Sequence, residues 1–290
     1  MKNISILGLG NISIELCSSL KEKGFNVFGS TDNSYRQKAL KKIGVKIFSR
    51  NQLNECILKA DKIIITIPPD ANGCPVIRHF SREILESNIK WIGYLSSTSV
   101  YGNHNGKVVN EKSVLKPKED VAKSRIQGEK DIQALGEKNS LAVEIFRISG
   151  IYGKDRNIFN QILSKKIKPL FKKGHFFNRI HEEDIARVLT AACSNKMNSG
   201  IVNLSDDLPA SQLDVINHAF SVMNIKMPTY ENYNDISSKV PLSVRRFWEN
   251  NRRVDNTLLK KRYGELLHPT YKEGLSYIHN NYLLHSLNKD

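Results

Sequence analysis

From residue 3 to about 148, short runs of β-branched and aliphatic residues alternate with longer segments whose apolar positions recur at helical spacing. The runs at 3–8, 26–30, 45–48, 62–67, 91–97 and 141–147 predict strands. Leu16, Leu20 and Gly24 after the first run, and Ile126, Lys130 and Leu135 before the last, mark helices between them. This alternation predicts an α/β protein, a Rossmann doubly wound parallel sheet with helices on both faces. After Gly153 the rhythm changes to helices and irregular stretches, with one isolated strand-like run, Gly200-Ile201-Val202-Asn203-Leu204. The expected organisation is a Rossmann dinucleotide-binding domain over 1–153 and a smaller substrate-binding portion over 154–290, with about 198–205 returning to the sheet. No repeat, low-complexity tract or flexible linker separates the halves.

The 290 residues are 40% apolar and 25% charged, which excludes intrinsic disorder. No apolar run approaches a membrane span, and Asn11 and Glu15 interrupt the candidate secretion signal at the start of the chain. Cys17, Cys56, Cys74 and Cys193 lack disulfide-framework or zinc spacing, so no metal site and a reducing cytoplasm are expected. Forty-four basic against 29 acidic residues give a net charge of +15, which attracts anions. The basic residues are scattered singly and in pairs such as Lys41-Lys42 and Lys260-Lys261, without interleaved aromatics. The expected partner is therefore a small anionic substrate and not nucleic acid or membrane. A monomer and a homodimer both remain open.

Gly8-Leu9-Gly10-Asn11-Ile12-Ser13 lies where the first strand turns into the first helix. There the pyrophosphate of a dinucleotide rests on a helix N-terminus: Gly8 permits the turn, Gly10 lets backbone approach phosphate, and the amides of Asn11 and Ile12 point at it. Ser13 replaces the third glycine of the fingerprint, and a plain glycine turn is the competing reading. Asp32, at the end of the second strand, stands where an acidic residue accepts ribose hydroxyls. It favours NAD, with NADP kept open because Arg36 could reach a ribose phosphate; capping of the next helix is the alternative role for Asp32.

Trp91 to Gly102 runs a buried strand into a hydroxyl-rich tip containing Ser96, Ser97, Thr98, Ser99 and Tyr101. This segment resembles the active-site strand of the extended short-chain dehydrogenases/reductases, the NAD-dependent epimerase/dehydratase family, whose catalytic serine or threonine matches Ser97. Arg147 to Gly153, Arg179 to Ala186, Asn203 to Asp207, Arg252 to Asn256 and Pro269 to Leu275 continue the resemblance in order. One departure matters. The family's catalytic Tyr and Lys fall at Val121 and Arg125, counted from Glu129. Valine moves no proton, and arginine stays protonated. With two closely spaced glycines and Pro68-Pro69-Asp70 after the fourth strand, the chain is similar to the atypical branch of the family, the YeeZ-like nucleoside-diphosphate-sugar epimerases.

The resemblance implies cofactor contacts from Gly8, Gly10, Asn11, Ile12, Asp32, Pro68 and Ser96, and chemistry at Ser97, Thr98 and Tyr101. It implies substrate contacts from Arg125, His181, Arg252 and Arg253. Each has a plainer reading: Tyr101 and Tyr152 as packed aromatics, His104 as a loop residue, His181 as part of a helix start, and the arginine pair as a solvated turn. The expected function is an NAD(P)-dependent oxidoreductase or epimerase acting on a sugar-like, phosphorylated or nucleotide-linked metabolite. The alternative is a non-catalytic NAD(P)-binding sensor or partner protein.

Overall fold

The computed structural model describes residues 2–194 and 198–284. The β-branched runs assemble into a seven-stranded sheet in the order Gly200–Leu204, Ala142–Ile148, Trp91–Ser97, Lys62–Ile65, Asn3–Leu7, Asn26–Ser30, Lys46–Phe48. The first strand pairs in parallel with both the second and the fourth, placing Ile6 opposite Gly29 on one side and Ile64 on the other. The strand order therefore reverses at the first strand, and in such sheets ligands bind beyond the carboxyl ends of the strands at that switch point.

Two units are distinguished, and their segments interleave along the chain. The first comprises residues 1–100, 118–147 and 183–202, and the second 101–117, 148–182 and 203–290. In the first, Ile63, Ile65, Ile92 and Ile145 of the sheet pack with Cys56 and Ile57 from Leu53–Leu58, Val76 and Ile84 from Pro75–Glu86, and Ile132 and Leu135 from Asp120–Asn139. Burial of such aliphatic side chains contributes about 1.5–3 kcal/mol each. All four cysteines are buried in this unit and carry free thiols. Burial pushes Cys17 and Cys193 up to about 12 and Cys56 up to about 11.

In the second unit the short strands Gly150–Tyr152 and Arg179–His181 pair in parallel. Phe159, Ile216, Phe220, Tyr271, Leu275 and Ile278 form its main core. A satellite cluster is built on Trp248, whose ring stacks on Tyr233 at 4.7 Å. Among the described residues, no helix is long and apolar enough to cross a membrane.

Candidate functional site

The first strand leaves the sheet at Gly8, whose φ of +101° is open to glycine and costly for other residues. A Cβ there would lie 2.8 Å from both Ile67 and Thr66, so the turn is also too crowded for a side chain. The Thr66 hydroxyl donates to the Gly8 carbonyl and ties the turn to the segment after the fourth strand. Gly10 is the opposite case: a Cβ there would meet nothing within 4 Å, which leaves its backbone open to approach. Ser13, at the start of the helix Ser13–Glu22, donates its hydroxyl to the Gly10 carbonyl at 2.7 Å. The amides of Asn11 and Ile12 donate to no described residue. Two unspent amides at the positive end of a ten-residue helix, beside an open glycine, fit the pyrophosphate of a dinucleotide.

Sequence reading did not single out Gly29. A Cβ on it would sit 2.7 Å from Leu9, and the Leu9 amide donates to the Ser30 carbonyl at 2.8 Å, so this second-strand glycine lets the turn lie flat against its neighbour. Just beyond the second strand, Asn33 caps the helix Ser34–Lys42 by accepting from the Arg36 amide. Asp32 is left to pair with Arg50 at 2.6 Å, both side chains being exposed. The Arg36 guanidinium donates to the Asn11 side chain at 2.6 Å, so a cation stands at the glycine turn itself. Pro68 is exposed just beyond the Thr66–Ile67 contact.

The strand Trp91–Ser97 and the helix Asp120–Asn139 position the hydroxyl-rich tip. Ser96 is turned inward: its hydroxyl donates to Glu129 at 2.5 Å, and Glu129 is held by Arg147 through Nε at 3.1 Å and Nη2 at 2.8 Å. This ion pair is almost wholly buried. Ser97 is half-buried, accepts from the Ser99 amide at 3.1 Å, and donates its own proton to no described residue. Thr98 is buried. Arg125 donates to the Leu95 carbonyl at 2.8 Å, bringing its charge beside the strand end, whereas Val121 is exposed. Tyr94 is fully buried with its ring end against Gly128, and desolvation pushes its phenol above the usual range, the Arg125 charge opposing.

In the second unit, Tyr101 is fully buried and its hydroxyl donates to Asn203 at 2.6 Å. The His104 ring contacts the carbonyls of Tyr101 and Val114, which orders the loop. Arg252 donates to the Gly102 carbonyl at 3.1 Å and Arg253 to that of Gly106 at 2.8 Å. Arg253 is exposed, and its two terminal nitrogens donate to no described residue. His181 is buried in an aromatic cluster, 5.1 Å from Tyr152 and 4.0 Å from His268 between ring centroids. No metal is expected from the spacing of the cysteines, yet folding sets the His268 ring, from far along the chain, beside that of His181. Sequence spacing carries no trace of that pair.

A parallel sheet reversing at its first strand, with an open glycine turn at the switch point, defines the class of dinucleotide-fold proteins to which the short-chain dehydrogenases and epimerases belong. No protein-family profile matches the chain. It is 25% identical over 219 residues to Protein YeeZ of Escherichia coli strain K12, covering 70% of this chain and 77% of that protein. A conserved protein of unknown function from Silicibacter pomeroyi DSS is 28% identical and superposes with a TM-score of 0.90 over 97% of this chain and 99% of its own. The UDP-glucuronic acid 4-epimerase of Bacillus cereus, solved with UDP-glucuronic acid and NAD, shares the fold at 18% identity, with a TM-score of 0.77 over 97% and 99% of the two chains. The chain is thus similar in sequence to Protein YeeZ, and it shares its fold with a UDP-glucuronic acid 4-epimerase.

Proposed function

We propose that this chain is an NAD(P)-dependent enzyme of the epimerase and oxidoreductase type, acting on an alcohol or carbonyl of a sugar-like, phosphorylated or nucleotide-linked metabolite. The observation that carries the reading is the glycine turn, with an open Gly10 and two unspent amides at a helix start. The cofactor supplies the hydride chemistry. Ser97, whose proton is uncommitted, orients the reacting oxygen. Arg125 lends positive charge beside the strand end without shuttling protons. Arg253 is the better placed of the arginine pair to meet an anionic group, having two terminal nitrogens to spare. Tyr101 is left out of the chemistry because its hydroxyl is spent on Asn203. Asp32 favours NAD, and the Arg36 cation at the turn keeps NADP in the comparison.

A second reading, a non-catalytic NAD(P)-binding sensor, draws on Val121, which stands where the family's proton donor would be and offers no proton. Titration with NADH and NADPH tests what both readings share. Gly10→Asp places a carboxylate against the pyrophosphate and is expected to weaken binding by at least about tenfold while the circular dichroism spectrum is unchanged. Unaltered affinity in that folded variant overturns the assignment of the turn. Turnover of nucleotide-sugars by the wild-type chain, lowered in Ser97→Ala, then selects the enzyme over the sensor.

A further inference from the structure

A cavity of about 230 Å³ opens within the second unit, bounded by the Gly150–Tyr152 strand and its following loop, the Arg179 strand, and the helices Gln212–Val222 and Tyr271–Ile278. It takes no part in the chemistry above. Its floor is apolar, from Ile158, Val215 and Leu275. Among its polar side chains, Arg156, Arg179, Gln212 and Tyr271 keep bonding capacity to spare. Arg179 uses Nη1 on the carbonyls of Phe177 and Ala210, at 3.1 and 3.4 Å, while its Nε and Nη2 donate to no described residue. The Gln212 side-chain oxygen is buried without a partner. The Tyr271 hydroxyl has no partner among the described residues, and Arg156 at the rim presents a guanidinium with none.

Buried polar groups are nearly always satisfied, so the orphaned Gln212 oxygen, facing the same hollow as a half-used guanidinium, calls for something that satisfies it. Nε and Nη2 form one edge of the guanidinium, the edge that takes both oxygens of a carboxylate side-on. A lone acceptor oxygen on Gln212 calls for a donor on the same ligand. Desolvation holds the Arg179 pKa below its ordinary value, with the Asp206 charge opposing, and both Asp206 and Asp214 act on Tyr271. One guanidinium edge is free on this wall, which suits a single carboxylate. The cavity is below the roughly 300–1,000 Å³ of drug-sized sites, which limits the ligand to a small metabolite.

We propose that this cavity binds a small hydroxycarboxylate with an apolar body, its carboxylate on the Arg179 edge, its hydroxyl donating to Gln212 and its body on the Ile158–Val215–Leu275 floor. Isothermal titration of the full chain with mandelate, phenylacetate, mandelamide and inorganic phosphate tests this. Mandelate should bind saturably at one site. Phenylacetate, lacking the hydroxyl, and mandelamide, lacking the charge, should each bind about tenfold more weakly or worse, and phosphate should not compete. Because Arg179 also holds two carbonyls, Arg179→Gln is read beside Gln212→Leu. The first should abolish mandelate binding, and the second should bring mandelate down to the affinity of phenylacetate. Absence of mandelate binding, equal affinity for mandelamide, or wild-type affinity in both variants overturns the site. NADH titration of the same samples keeps this result separate from that at the glycine turn.

Discussion

Glu129 joins two other buried polar side chains of the first unit. Its carboxylate takes the Ser96 hydroxyl and two nitrogens of Arg147, all three residues lying on or against the sheet. Such a pair is worth little against an apolar replacement, but removing one partner strands a buried charge. Glu129→Ala should therefore cost about 3–5 kcal/mol of unfolding free energy, measured by denaturant titration. The double change Glu129→Leu/Arg147→Met should cost clearly less than the sum of the two single changes. A double variant as unstable as that sum would show that the pair is not the unit of stabilisation. In the sequence Glu129 is legible only as a landmark for the missing Tyr and Lys. Its partners are on other elements, and no local spacing links Ser96, Glu129 and Arg147.

At the scale of elements, strand reading from period and branching lands within a few residues, and the misses have local causes. The fourth strand is read to 67 but ends at Ile65, where the amides of Thr66 and Ile67 both turn onto the Leu7 carbonyl and the Thr66 hydroxyl bonds Gly8. The strand expected from 141 begins at Ala142, since the Leu141 amide is still closing the preceding helix on Gly136. Three-residue strands such as Gly150–Tyr152 and Arg179–His181 have too few positions to show a period. The start of the helix Tyr271–Ile278 is a capping box in which Thr270 and Glu273 bond reciprocally. The Thr270 hydroxyl also donates to the Glu273 carboxylate, and this bond is the largest cause holding that carboxyl below its ordinary pKa. A carboxylate so lowered contributes fully above its unfolded pKa and loses that contribution as pH falls through the folded one. Thr270→Ala should lower stability by about 1 kcal/mol near neutrality, and thermal melts should show the gap narrowing in acid. A gap independent of pH would mean that the charge on Glu273 plays no part in the cap.

Over the whole molecule, the doubly wound sheet is legible because its early strands are short, apolar-rich runs, continuous at Ile63–Ile65, as a sheet covered on both faces favours. The interleaving of the units is not, because it depends on where the chain returns: residues 118–147 and 183–202 rejoin the first unit after excursions into the second. No composition shift marks those crossings. The distribution of thiols follows the same division. All four cysteines lie in the first unit, every one buried, and burial raises each thiol pKa. A maleimide or disulfide reagent attacks thiolate and so should leave the native protein unmodified, reacting only when a segment around a cysteine opens. Labelling rates at Cys17, Cys56, Cys74 and Cys193 would then form a built-in clock for fluctuations of the sheet-bearing unit, silent to those of the other. If any of the four is modified at the rate of a free thiol under native conditions, that clock fails at that position. Where it holds, NADH added to the reaction should slow the labelling of Cys17, on the helix that begins at the glycine turn, more than that of Cys193, so chemical kinetics alone would report the ligand's reach through the sheet.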